Sequence, residues 1–301
     1  LFSNTTASNN TAVGYQAGYS NTTGERNTAM GVQSLYTNTT GSFNSAFGRT
    51  ALYYNTTGQQ NVANGQDALF SNTTGSYNVA VGKSALETNT TASNNTAVGY
   101  QAGLNNTTGE YSTMVGWAAG YANTTGSIEA FGAGALDANT TGTFNAAFGR
   151  SALTSNTTGN NNVAIGYASL LLNTTASNNT AVGYHAAYSN TTGSPVTAMG
   201  YYTLDQNTTG AHNNAYGYRA MRLNTTGGYN TALGGDALYS NTTASNNTAV
   251  GYQASYANTT GTGNTATGHS ALQNNTTGDF NTGNGLFALN SNTTGERNVA
   301  I

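Results

Sequence analysis

NTTGERNTAMGVQSLYT, Asn21–Thr37, runs straight into NTTGSFNSAFGRTALYY, Asn38–Tyr54, and then into NTTGQQNVANGQDALFS, Asn55–Ser71. The three stretches align without a gap, so the question of fold reduces to what a seventeen-residue unit can build when it is copied end to end. The tripeptide NTT begins at Asn4, Asn21, Asn38, Asn55, Asn72, Asn89, Asn106, Asn123, Asn139, Asn156, Asn173, Asn190, Asn207, Asn224, Asn241, Asn258, Asn275 and Asn292, and every step is 17 residues except the 16 from Asn123 to Asn139. Numbering places from this Asn, the unit reads N-T-T-G-x-x-N-T-A-V-G-x-x-A-L-x-x. It fills residues 1–301 as one continuous array. Leu1 stands at a fifteenth place and Ile301 at a tenth. With no atypical repeat to cap either end, the expectation is a stretch of a longer chain or of a head-to-tail polymer.

A helical hairpin repeat needs about 33 residues, and Asn, Thr and Gly are poor in helix interiors. Places seven to ten, as in Asn78-Val79-Ala80-Val81, form a short β-favouring run closed by Gly, and places thirteen to sixteen, as in Ser84-Ala85-Leu86-Glu87, form a second apolar run. The reading is an all-β parallel β-solenoid, or β-roll, of about 17 coils with one repeat and two short strands per coil, stacked at roughly 4.7–4.9 Å over on the order of 80 Å.

Stacking in register turns each place into a column. The eighteen place-one Asn are expected to form a ladder of side-chain amides, with Thr stacked beside it and Asx-type bonds holding the turns. Place eleven is Gly in every unit that reaches it, Gly14, Gly31, Gly48, Gly65, Gly82, Gly99, Gly116, Gly132 and Gly149 among them, which implies a positive φ or a backbone too crowded for a Cβ. Place four admits Ala7, Ala92, Ala176 and Ala244, so it is less demanding. Place nine is Ala except at Met114 and Gly283, a tight site, whereas place ten is variably apolar. Neighbours on a strand face opposite ways, so one apolar stripe is expected to pack on further protein, as two more copies about a common axis. Unit eight, Asn123–Ala138, is one residue short. Assigning the gap to its seventh place predicts a bulge or broken ladder at Ser127–Ala130.

Composition removes whole classes of function. Only 6% of residues are charged against about 25% in ordinary domains, and the net charge of −3 leaves no basic footprint for nucleic acid. No apolar run is long enough to span a membrane. The absence of Cys excludes thiolate metal sites and Cys nucleophiles. His185, His212 and His269 lie in distant units at different places, so neither a metal centre nor a His-based triad is expected; catalytic residues and cofactors are read as none. Charged side chains at variable places read as a solvated face. Fourteen of the 20 Tyr fall at places twelve and sixteen, and Tyr15, Tyr19, Tyr100, Tyr184, Tyr252 and Tyr256 are the candidate surface-binding residues, packing their coils or presenting rings to glycans or neighbouring fibres. Every NTT is also a glycosylation sequon, open to sugar if its Asn points outward and closed if it points inward.

NTAVGYQA, at Asn10–Ala17, Asn95–Ala102 and Asn247–Ala254, followed by SNTTG at Ser20–Gly24, resembles the repeat of long phage tail-fibre and bacterial surface proteins. It is also similar to the N-S-V-A-I-G-x-x-S repeat of trimeric autotransporter adhesin heads. That resemblance implies a left-handed parallel β-roll of three chains, a homotrimer or filament at a cell surface or on a virion. The functional expectation is a non-catalytic extracellular fibre or adhesin element for attachment or scaffolding, with itself and cell-surface glycans as partners. The alternative is an ice-binding solenoid acting through Thr ladders, against which stands the adjacency of Thr5 and Thr6: only one of each pair can share a flat face.

Overall fold

A computed structural model describes all residues, Leu1–Ile301, in two compact units, Leu1–Arg150 and Ser151–Ile301. Each is a parallel β-solenoid without helices. The first carries nine short strands, from Thr11–Val13 to Asn145–Phe148, and the second nine more, from Val163–Ile165 to Val299–Ala300. Pairing is in register with the repeat: Thr28, Ala29 and Met30 lie beside Ser45, Ala46 and Phe47, and Thr231, Ala232 and Leu233 beside Thr248, Ala249 and Val250.

Each coil has one strand, at places eight to ten, and not two. The second apolar run is a turn, because places thirteen and fifteen adopt the left-handed conformation, as does place six. In the coil that starts at Asn72, Tyr77, Ser84 and Leu86 have φ of 60°, 59° and 51°. For residues with a Cβ this conformation costs roughly 1–2 kcal/mol each. It is offset because the flipped peptides point along the stack. Tyr77 N–H donates to Gln59 O at 3.0 Å, Ser84 N–H to Gln66 O at 2.9 Å, and Leu86 N–H to Ala102 O at 3.0 Å. Coils are thus joined by main-chain bonds through the turns as well as through the strands.

The core is thin and built from small side chains. Place nine Ala, place fourteen Ala and place fifteen Leu are buried, as at Ala80, Ala85 and Leu86. The one large exception at place nine explains two exceptions at place fifteen. Gly103 and Gly120 stand where Leu is usual, and a Cβ on Gly103 would lie 2.7 Å from Met114 Cε, one on Gly120 2.8 Å from Met114 Sδ. Met114 fills the volume that two leucines leave. Met114→Ala should therefore open a cavity and lower stability by about 3 kcal/mol. Adding Gly103→Leu and Gly120→Leu, which restores the usual coil at places that accept Leu with positive φ, should recover most of it; urea denaturation reads both.

The short unit shows no bulge and no broken ladder. Ile128 pairs with Asn145 and Glu129 with Ala146 in an unbroken strand, Ile128–Phe131. The residue dropped is that of place six, not seven. Place six requires positive φ, which a β-branched side chain resists, so Ile128 takes the buried seventh place and the turn is shortened instead. Phe144 N–H still reaches Ser127 O at 2.8 Å.

Candidate functional site

The place-one Asn side chains point inward and are buried along nearly all of each unit. Asn72 Nδ2 donates to Asn55 Oδ1 of the preceding coil at 2.8 Å and to Gly75 O of its own turn at 2.9 Å, while its Oδ1 accepts from Asn89 Nδ2 at 2.9 Å. Both amide hydrogens are used, and the next coil repeats the pattern. In the second unit Asn224 bonds Asn207 Oδ1 and Gly227 O in the same way, at 2.7 and 2.9 Å. A buried amide with both hydrogens bonded has no room for a glycan, so the sequons inside the coils are closed in the folded chain.

A second ladder, which the repeat contains but the sequence reading did not assign, runs through the seventh-place Asn. Asn78 is bonded along the stack: its N–H donates to Asn61 Oδ1 at 3.0 Å, its Nδ2 donates to Ala92 O at 2.9 Å, and its Oδ1 accepts from Asn95 N–H at 3.0 Å. The two ladders meet on the place-four carbonyl, where Gly75 O accepts from Asn72 at 2.9 Å and from Asn61 at 2.8 Å and so uses both lone pairs. Ser112 substitutes for Asn by donating its hydroxyl to Gly126 O at 3.1 Å. Thr at place two forms a third column, Thr73 Oγ1 to Thr90 O at 3.0 Å, whereas Thr at place three faces solvent. At place eleven, Gly65 has φ +143° and a Cβ there would sit 2.5 Å from Gly82 O.

The candidate Tyr residues do not converge on one site. Tyr19 stacks between Phe2 and Tyr36 at 5.0 and 5.2 Å, Tyr256 on Tyr239 at 5.1 Å, and Tyr252 tilts toward His269 at 5.3 Å. Tyr15 and Tyr100 are exposed with no ring against them. Tyr184 belongs to the place-twelve column Tyr167, Tyr184, Tyr201 and Tyr218 in the second unit, with centroids 5.3–5.6 Å apart.

Beside this column lie polar groups that a solvated-face reading overlooks. Arg219 makes a two-point contact to the buried Asp236, Nε to Oδ1 at 2.8 Å and Nη2 to Oδ2 at 3.0 Å, with its guanidinium 4.7 Å from the centre of the Tyr218 ring and 5.0 Å from that of Tyr239. The bond to Asp236 raises the Arg219 pKa further. Arg222 covers Tyr202 at 4.7 Å and approaches Asp205 at 3.8 Å, and His185 Nδ1 reaches the same carboxylate at 3.7 Å. Burial holds Asp205 above the usual carboxylate range, against the pull of Arg222 and His185. Both Arg–Asp pairs are separated by 17 residues, the signal that would have found them. The three His stay apart: His212 stacks on Tyr229 at 4.6 Å, and no group of three metal-ligating side chains forms.

The outward face of each sheet, places eight and ten, carries Thr, Val and larger apolar side chains, with Glu129 as its only charge. Burial raises the Glu129 pKa. Val13, Ile165 and Leu233 remain 55%, 42% and 50% exposed there. Compared with known proteins, the chain matches no family model and no curated protein sequence.

Proposed function

We propose that this chain is a non-catalytic structural element of an extracellular fibre or adhesin, built for attachment or surface scaffolding. The observation that carries the reading is the axial lattice: in both units each coil is tied to the next by buried Asn ladders, Thr hydroxyls and main-chain bonds. Such a lattice places the same groups at every level and gathers none of them into a single reactive constellation. The resemblance to tail-fibre and adhesin repeats supports the same reading.

Self-association follows from the outward sheet face. Its place-ten column is largely apolar, its place-eight column is mostly Thr, and it is almost without charge; a second or third copy of the chain is the partner that would cover it in a homotrimer or filament. The test is sedimentation equilibrium of the purified chain beside a Met199→Glu, Leu233→Glu variant. The parent should assemble and the variant should remain monomeric with unchanged circular dichroism. A parent that stays monomeric at all concentrations and attaches to no cell surface would refute the reading. Ice binding is distinguished by thermal hysteresis. The place-two Thr hydroxyl donates to the next coil, as Thr22 Oγ1 does to Thr39 O at 3.0 Å, and of the other two Thr columns that of place three is one residue wide and that of place eight is interrupted by Val62, Val79, Glu129, Ala146 and Val163, both poor templates of water. The fibre reading predicts no hysteresis.

A further inference from the structure

One cavity stands on the surface of the first unit, about 240 Å³ in volume, and it is lined by Gln101, Trp117, Ala118, Tyr121 and Asp137. It lies where two successive coils carry small residues next to the larger Gln101 and Trp117. Place thirteen is Ala118 in one coil and Gly134 in the next, and place twelve of that next coil is Ala133. Gly134 N–H donates to Trp117 O at 2.9 Å, and a Cβ added to Gly134 would meet nothing within 4 Å. Trp117, the only Trp of the chain, is therefore 61% exposed beside open space. Asp137 is half-buried with no cation in ion-pair distance, and burial pushes its carboxyl above the usual range.

The second unit sets the same kinds of group around a cation, from partly different places: its carboxylate, Asp236, stands at the thirteenth place that Gly134 occupies in the first unit, and Asp137 stands at the sixteenth place that Tyr239 fills in the second. There the aromatic residue at place twelve is Tyr218, the one at place sixteen is Tyr239, and the carboxylate is Asp236; the group between them is the guanidinium of Arg219, at place thirteen. Three residues on, Arg222 lies over one ring, Tyr202, and 3.8 Å from a carboxylate at place sixteen, Asp205. In the first unit the rings and the carboxylate are supplied by Trp117, Tyr121 and Asp137, and the residue at place thirteen of the Trp117 coil is Ala118, too short to bring a cation. We propose that this cavity binds an organic cation, a guanidinium or alkylammonium group, between the Trp117 and Tyr121 rings and the Asp137 carboxylate. The ring faces attract the positive charge, more strongly where water is partly excluded, and the carboxylate gains the counter-ion it lacks. Gln101 supplies an amide oxygen for one further N–H.

Because Trp117 is alone in the chain, its fluorescence reports this site directly. The purified chain is titrated with butylguanidinium, with its uncharged analogue butylurea, with methyl β-glucoside, with choline as a small-molecule cation, and with a Gly-Arg-Gly peptide as a protein side chain. Butylguanidinium should give a saturable change, and butylurea should bind at least about tenfold more weakly. Asp137→Asn should weaken butylguanidinium at least about fivefold, and Ala118→Arg, which supplies the cation from the chain itself at a place where Arg219 is tolerated with φ 52°, should abolish binding. Choline and the peptide distinguish the two sources of the cation, and a response to either supports the site. The proposal is overturned by the absence of a saturable response to any cation, or by butylurea or methyl β-glucoside binding as tightly as butylguanidinium. The comparison of probes on the parent chain decides the matter even if a variant fails to fold.

Discussion

Gly65→Ala should lower stability by about 4 kcal/mol or more, an effect outside the range of ordinary point substitutions. Two penalties coincide at this residue. Its φ of +143° is a conformation that L side chains rarely adopt, and the added Cβ would lie 2.5 Å from Gly82 O and 2.6 Å from Gly82 C. Those atoms are backbone of the next coil and cannot rotate away, so relief requires the two coils to separate. Separation breaks the bonds that flank the contact, Gly65 N–H to Phe47 O and Gly82 N–H to Asn64 O, both 2.8 Å. Chemical denaturation measures the loss. Hydrogen exchange should localise it to the strands Val62–Asn64 and Val79–Val81. Gly24→Ala should cost less, because only one of the two penalties applies: φ at Gly24 is not positive, and although a Cβ there would also overlap Gly41 O, Ala92, Ala176 and Ala244 occupy the same place in other coils.

Asn72→Asp should cost about 4 kcal/mol at neutral pH and less in acid. The carboxylate would present oxygen where Asn72 Nδ2 now donates, facing Asn55 Oδ1 at 2.8 Å and Gly75 O at 2.9 Å, two acceptors with no proton to share. Burial excludes the water that would otherwise solvate the charge. A protonated acid supplies one of the two missing donors, so folding raises the pKa of the new carboxyl above its unfolded value. The variant is accordingly least impaired below the ordinary carboxylate range and loses stability as pH rises through the folded-state pKa. Urea midpoints of parent and variant at pH 4 and pH 7 check the sign. A penalty equal at both pH values would show that the place-one amide is not buried in an acceptor-lined column.

The period was legible because a parallel solenoid demands that like stand above like, and 17-residue spacing of Asn, Ala and Gly is the trace of that demand. The role of Gly65 and its equivalents was legible for the same reason, since only Gly fits both the dihedral and the contact. The turn at places thirteen to sixteen was not. Leu86 and Ser84 are residues whose intrinsic preference is against positive φ, and it is the axial hydrogen bonds, visible only once coils are stacked, that overturn it. The gap in unit eight was misplaced because counting from either side fits equally well; the decision rests on Ile128, whose branched side chain suits the buried place and not the left-handed one. Arg219 and Asp236 look like scattered charges until they are read 17 residues apart. The cavity beside Trp117 arises from what Ala118 and Gly134 lack, and a missing side chain carries no pattern of its own.

A crystal structure of the chain tests the central claim most directly, through the positions of Ala63, Ala80 and Ala97, one per coil. The account predicts these Cα atoms in a single column, each about 4.8 Å from the next across a parallel ladder, with the amides of Asn55, Asn72 and Asn89 in a second column inside. Antiparallel pairing of successive strands, or consecutive Ala of this series displaced from one another by more than a strand spacing, would contradict it.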